Sequence, residues 1–173
     1  YYYAVAHKFD FQLYKLLSQY DTAQFDVLNS NKESFFFTYV RGLQSISDTT
    51  TEFLVTLLAD GADLYLPNSW YSEDKTALDI IAEKSSDILQ VVLDSGKVEI
   101  NFQDNLGNTL LHKVCAYNVN YSQDAAKETY KKVKLLLENG ADATIVNDQD
   151  KTAIMLAMED NLKVKTVELL LKK

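Results

Sequence analysis

The sequence predicts an all-α protein: a solenoid of stacked helix-turn-helix units with β-turn fingers. Three observations carry this. Short apolar runs opened by Ser or Thr recur at Ser34, Thr76, Thr109 and Thr152, each after a polar turn-forming stretch, the pattern of a capped helix leaving a tight turn. Glycine stops follow the next apolar run at Asp60-Gly61, Ser95-Gly96 and Asn139-Gly140, where a helix C-terminus needs left-handed backbone. Leucines closing each second helix, Leu17, Leu58, Leu93, Leu137 and Leu171, are spaced 41, 35, 44 and 34 residues apart. The short spacings sit near the period of about 33 residues of a helix-pair repeat, and the long ones imply insertions.

The units follow in order. Residues 1–28 form a degenerate first repeat: Tyr1 to Ala6 ends one helix and Asp10 to Ser18 makes the next, with Phe9, Leu13, Leu16 and Leu17 expected to face the following repeat. Residues 29–66 form the second, entered through Asn29-Ser30-Asn31-Lys32-Glu33-Ser34, with a second helix from Thr51 to Ala59 and about six extra polar residues between Leu43 and Thr50. Residues 67–102 form the third. It has an enlarged turn from Leu66 to Ser72 carrying Trp70-Tyr71, then Thr76-Ala77-Leu78-Asp79, then a helix from Asp87 to Leu93.

The fourth repeat, 103–146, is the most regular. Asp104, Asn105 and Gly107 supply turn chemistry, Thr109 the cap, and Val133 to Leu137 the second helix. Its insertion, Tyr117 to Thr129, is either a recognition loop or a backward extension of the second helix, with Asp124 as the expected cap. The fifth, 147–173, is truncated and closes with Val164 to Leu171. Each unit leaves an apolar face that only a neighbour can bury, so 1–173 is expected to be a single stacked domain.

The run Thr109-Leu110-Leu111-His112-Lys113-Val114-Cys115 resembles the T-P-L-H-x-A motif that opens the first helix of an ankyrin repeat, with leucine in the proline position. Thr76-Ala77-Leu78-Asp79 and Thr152-Ala153-Ile154-Met155 are similar, and Phe35-Phe36-Phe37 departs furthest. The resemblance implies a non-catalytic protein–protein interaction module or scaffold that binds a partner on its concave face. It places the contacts at the finger residues Trp70, Tyr71, Phe102, Asn105, Asn147 and Asp148 and at Asp79, Lys113 and Met155 on the inner helices. It also implies that His112 pins its turn by hydrogen bonds and that Cys115 fills a small packing position. Trp70 has two readings: an aromatic anchor for a partner, or a lid folded over its own repeat.

Charge and composition narrow the partners. The net charge of −8 argues against binding a nucleic-acid backbone. Residues 1–86 hold 6 basic and 12 acidic side chains, which suits a basic protein partner. No apolar run approaches a membrane span. One cysteine allows no internal disulfide and leans toward a reducing, cytoplasmic compartment, with a secreted, host-directed setting as the alternative. His112 and Cys115 fall short of the four ligands of a structural zinc. Acidic neighbours such as Glu73-Asp74 and Asp148 to Asp150 sit in turns, where nothing desolvates a carboxylate for acid–base work. No cofactor or metal is expected. Two alternatives to a monomeric binder stand: the targeting arm of a larger enzyme or effector, and self-association through uncapped ends or the aromatic N-terminus. The first 40 residues hold 12 of the 20 aromatic side chains, as core or as an exposed patch.

Overall fold

Hydroxyl caps decide where most helices begin. A computed structural model describes residues 1–172. The protein is 52% helical, and the helices come in pairs: α1 (Tyr2–Lys8) and α2 (Phe11–Leu17), α3 (Phe35–Gly42) and α4 (Asp48–Ala59), α5 (Ala77–Glu83) and α6 (Ser86–Asp94), α7 (Leu110–Ala116) and α8 (Gln123–Glu138), and α9 (Ala153–Met158) and α10 (Val164–Leu171). Ser34, Ser47, Thr76, Thr109, Ser122 and Thr152 each accept a backbone N–H from the first turn of the helix that follows. These bonds satisfy donors that an uncapped helix would leave orphaned. Gly61 and Gly140 end α4 and α8 in left-handed backbone, at φ 110° and 89°.

The expected all-α class needs one correction. The enlarged turn is a β-hairpin, β1 (Asn68–Trp70) against β2 (Glu73–Lys75), with Asn68 opposite Lys75 and Trp70 opposite Glu73. Two short strands joined by a two-residue loop satisfy their backbone as a ladder, which a wandering loop could not do.

The chain divides into two compact units, Tyr1–Val98 and Glu99–Lys173. In the first, α3 packs between α1 and α5, and α4 packs between α2 and α6. First helices thus stack on first helices, and second on second. The core is aromatic: Phe11 stacks on Phe53 at 4.8 Å, Phe25 on Phe35 at 5.0 Å, and Tyr39 tilts against Phe53 at 4.8 Å. The crowded N-terminal rings are therefore mostly core, with Tyr1 and Tyr20 the exposed exceptions. Tyr14 is buried and donates its hydroxyl proton to Asp60 Oδ2 at 2.6 Å. Burial, then that carboxylate, raises its phenol above the ordinary value.

In the second unit α7 packs on α9 and α8 on α10, and each pair also closes on itself. Small and aliphatic residues fill this core: Val114, Cys115, Val133, Leu136, Ala153 and Ala157 are all buried.

Three expectations about register are corrected. Leu16 is 50% exposed, because α2 buries Phe11 and Tyr14 at i, i+3, whose larger rings set the phase of a seven-residue helix. Leu171 is 67% exposed, because a 3₁₀ turn at Asn161–Lys163 leads into α10 and turns Thr166 and Leu170 inward instead. The long helix α8 starts at Gln123 on a Ser122 cap, and Asp124 lies in its first turn. The 117–129 segment thus splits: residues 123–129 lengthen α8, and 117–122 remain a loop pinned by buried Val119.

These assignments fix a contrast. Leu136→Ala empties a fully buried position and should cost about 2–5 kcal/mol, whereas Leu171→Ala should change stability by less than about 0.5 kcal/mol. Urea unfolding of the two variants measures both; equal midpoints would show that the register of α8 is wrong.

Candidate functional site

One turn is built three times. Asn29, Asp104 and Asn147 each stand five residues before a capping Ser34, Thr109 or Thr152. The Oδ1 of each accepts two backbone amides: Asn31 and Glu33 at 2.9 and 3.0 Å, Leu106 and Asn108 at 2.9 and 2.9 Å, Gln149 and Lys151 at 3.0 and 3.1 Å. The backbone closes the same loop each time, with the N–H of Lys32, Gly107 or Asp150 donating to the carbonyl at the turn's head at 2.9 Å. Those three residues all have positive φ. Ahead of α5 the hairpin stands in place of this turn.

Neighbouring turns within a unit are tied together. In the first unit Ser34 N–H donates to the buried Asn68 Oδ1 at 2.6 Å, and Ser69 N–H to the Lys32 carbonyl at 3.0 Å. In the second, Asp148 N–H donates to the Leu106 carbonyl at 3.0 Å and Asn147 Nδ2 to Asn108 Oδ1 at 2.9 Å. Gly107 permits this approach: a Cβ there would lie 2.8 Å from the Asp148 nitrogen. His112 finishes the tie. Its Nδ1 accepts the Thr109 N–H at 3.1 Å, so its proton sits on Nε2 and is donated to the Lys151 carbonyl at 3.0 Å. His112 does pin its turn, and it pins the next turn as well.

The hairpin tip differs from these turns. Tyr71 and Ser72 form its two-residue loop with φ of 47° and 68°, a geometry usually given to Asn-Gly. Two non-glycine residues there cost about 1–2 kcal/mol each. Tyr71 is 85% exposed, and its ring stands edge-on to Trp70 at 4.6 Å. Trp70 is half-buried: it meets Phe37 of α3 at 6.2 Å and lies under the Arg41 guanidinium at 4.8 Å. Trp70 thus packs against the preceding repeat, and Tyr71 is the ring left in solvent.

The other expected contact residues vary in accessibility. Asp79 is half-buried in a reciprocal cap, with Oδ2 accepting the Thr76 N–H at 2.8 Å. Asn147 is buried as a turn head. Lys113 is ion-paired with Asp104 at 3.0 Å. Phe102, Asn105, Asp148 and Met155 are exposed, as is Leu106 at a turn tip. In the first unit the accessible set is therefore Tyr71 with its acidic neighbours Glu73 and Asp74, and in the second it is a mixed apolar and polar set.

Two residues that sequence reasoning missed are lysines. Lys84 Nζ donates to the Arg41 carbonyl at the end of α3, and Lys163 Nζ to the Cys115 carbonyl at the end of α7, both at 2.8 Å. Lys84 follows α5 and caps α3, and Lys163 follows α9 and caps α7, where helix carbonyls favour a cation. Burial lowers both ammonium groups below the ordinary lysine value. The spacing between lysine and carbonyl, 43 and 48 residues, leaves no local signal. Burial also pushes the Cys115 thiol up to about 12, against the pull of Lys163, so it is a packing group and not a ready nucleophile. Among the described residues no helix is long and apolar enough to cross a membrane. Compared with known proteins, the chain matches no family model and no curated protein.

Two outcomes follow from this geometry. Burial alone would raise the Asp104 carboxyl, but the Asn108 N–H, Lys113 and the Leu106 N–H outweigh it and hold it below 3.8. Its contribution is present above pH of about 4 and lost as pH falls through the depressed value. Asp104→Asn keeps the turn acceptor and loses the charge. It should be about 0.5–1 kcal/mol less stable at pH 7, with a flatter decline below pH of about 4, both read from urea midpoints across pH. Ser72→Gly should relieve left-handed strain and raise stability by about 0.5–1 kcal/mol, seen as a higher urea midpoint.

Proposed function

We propose that the chain is a non-catalytic protein-binding module of the ankyrin-repeat kind, a solenoid whose turns and first helices present contact residues to a partner. The stacking of first helices on first helices within each unit supports that reading. So do the thrice-repeated turn and the histidine that pins it. The matching residues build the stack, so the functional part of the proposal has to rest on what the stack leaves exposed.

One observation carries it: the Tyr71 tip. A strained loop with no glycine holds an exposed ring in place, braced by a Trp that is itself fixed between Phe37 and Arg41. Strain of this kind collects where a protein binds something. A ring held in place loses little entropy on binding, which is what makes aromatic anchors effective. Glu73 and Asp74 on the adjoining strand are exposed, so the complementary surface is basic around an apolar recess. The second unit adds Phe102, Asn105, Asp148 and Met155 as its own accessible contact set.

The test is a selection of binders from a displayed protein-fragment library on the whole chain. Affinities are then compared for Tyr71→Ala and for Tyr20→Ala, a control that is 83% exposed and lies outside the left-handed loops. Tyr71→Ala should weaken binding by about 5–30-fold, with no change in melting temperature, and Tyr20→Ala should have no effect. Selected fragments should carry Lys or Arg beside their apolar contacts. Binders indifferent to Tyr71→Ala would sink the reading of this tip as the anchor.

A further inference from the structure

We infer that the second unit carries a separate docking site, a lysine-rimmed groove between α8 and α10 that takes an acidic, amphipathic helical segment of a partner protein. The groove exists because α8 is long. At 16 residues it runs well beyond the nine of α6 and the eight of α10. Its added N-terminal turns come from the 117–129 insertion, and beside Asn161 and Leu162 they leave one wall of a cleft of about 810 Å³. That volume is in the range of working binding sites.

The cleft has an apolar floor and a cationic rim. Ala126, Tyr130, Leu162, Val164 and Leu169 supply the floor, and Val164 is 55% exposed. Lys127, Lys131, Lys165 and Lys172 line the rim, with Glu168 the single carboxylate among the lining residues. Four lysines on one cleft run against a chain whose net charge is −8. The unit that carries the cleft is close to neutral, with 10 Lys against 11 Asp or Glu from Glu99 onward, so four lysines beside one carboxylate are a local cationic excess, and charge complementarity points to an anionic occupant.

Lys127 pairs with Asp124 at 3.4 Å and Lys131 with Glu128 at 2.8 Å. Both are exposed i, i+3 pairs of little net strength, which a partner's carboxylates can replace. The α8 wall recurs at Gln123, Ala126 with Lys127, and Tyr130 with Lys131, a length of about 12 Å at the helical rise. That length and spacing suit two to three turns of a docked helix, apolar face down and acidic flanks against the lysines. Nucleic acid fits less well, since the overall charge opposes a polyanion and the floor is apolar.

The test uses the whole chain and three labelled 12-residue peptides. One is an amphipathic helix with Leu and Phe on one face and Glu flanking it, the second has the same residues scrambled, and the third has Lys in place of Glu. The charge-reversed variant Lys131→Glu/Lys165→Glu alters only exposed rim positions, and its melting temperature is checked against wild type. The acidic amphipathic peptide should bind wild type, lose at least about 10-fold in affinity to the variant, and weaken with added salt. Tyr71→Ala should leave its affinity unchanged, which separates this site from the hairpin tip. Equal binding of the scrambled peptide would reduce the groove to diffuse attraction and overturn the proposal. Preference for the Lys peptide, indifference to the rim variant, or displacement by a single-stranded oligonucleotide would do the same. Concentration-dependent dimerisation lost in the rim variant would replace the partner helix with a second copy of this chain.

Discussion

A side-chain oxygen accepting two backbone amides is the interaction on which the rest of this structure depends. At Asn29, Asp104 and Asn147 it closes the turn that reverses the chain and delivers a Ser or Thr to the start of the next helix. Without it, two amides per turn would face the neighbouring turn unpaired, each a loss comparable to a missing hydrogen bond. With it, the turn's outer edge is free to bond the next turn, as Asp148 N–H does to the Leu106 carbonyl. Helices only six to eight residues long, too short to persist alone, are then held from one end by a cap and from the side by a neighbour.

The two units reach the same helix stacking with different materials. In the first, rings do the packing: Phe11, Tyr14, Phe35, Tyr39 and Phe53 form one interlocked set. Tyr14 keeps its hydroxyl satisfied by reaching Asp60. In the second, Ala and Val positions let α7 and α9 approach, and His112 supplies a directional tie whose counterpart in the ring-packed unit is the buried Asn68. The lysine caps are common to both. Lys84 and Lys163 each bury an ammonium group against the last turn of the preceding first helix, where the helix dipole and an orphan carbonyl repay part of its desolvation.

The Ser34, Thr76, Thr109 and Thr152 caps, the glycine stops and the five helix pairs could be read from the sequence, because each is a local signal. Thr109 and Ser34 announce themselves by what surrounds them. Register was less legible. The leucine ruler works at Leu58, Leu93 and Leu137 and slips at Leu171, since a 3₁₀ turn changes the phase and leaves no mark in the periodicity. The hairpin was hidden because its loop is Tyr71-Ser72, where left-handed backbone normally calls for glycine or asparagine. The turn heads could have been found by asking for Asn or Asp five residues before each cap. The lysine caps could not, since nothing near Lys84 refers to Arg41.

The site readings divide along the same line. Two residues that matched a repeat pattern, Asp79 and Asn147, are engaged in holding turns and caps, so their exposed surface is small. Asn105, Asp148 and Met155, which also matched it, stay exposed, and so do the residues that broke it: Tyr71 where a tight turn was enlarged, and much of the Gln123–Lys131 wall where a second helix was lengthened. An insertion that only lengthened a connection would have little reason to adopt left-handed strain at Tyr71 and Ser72, or to place lysines over an apolar floor on an acidic protein. The departures also differ in charge, acidic beside Tyr71 and basic along α8 and α10. On the proposals made above, their opposite charge means that the two surfaces would recognise different segments.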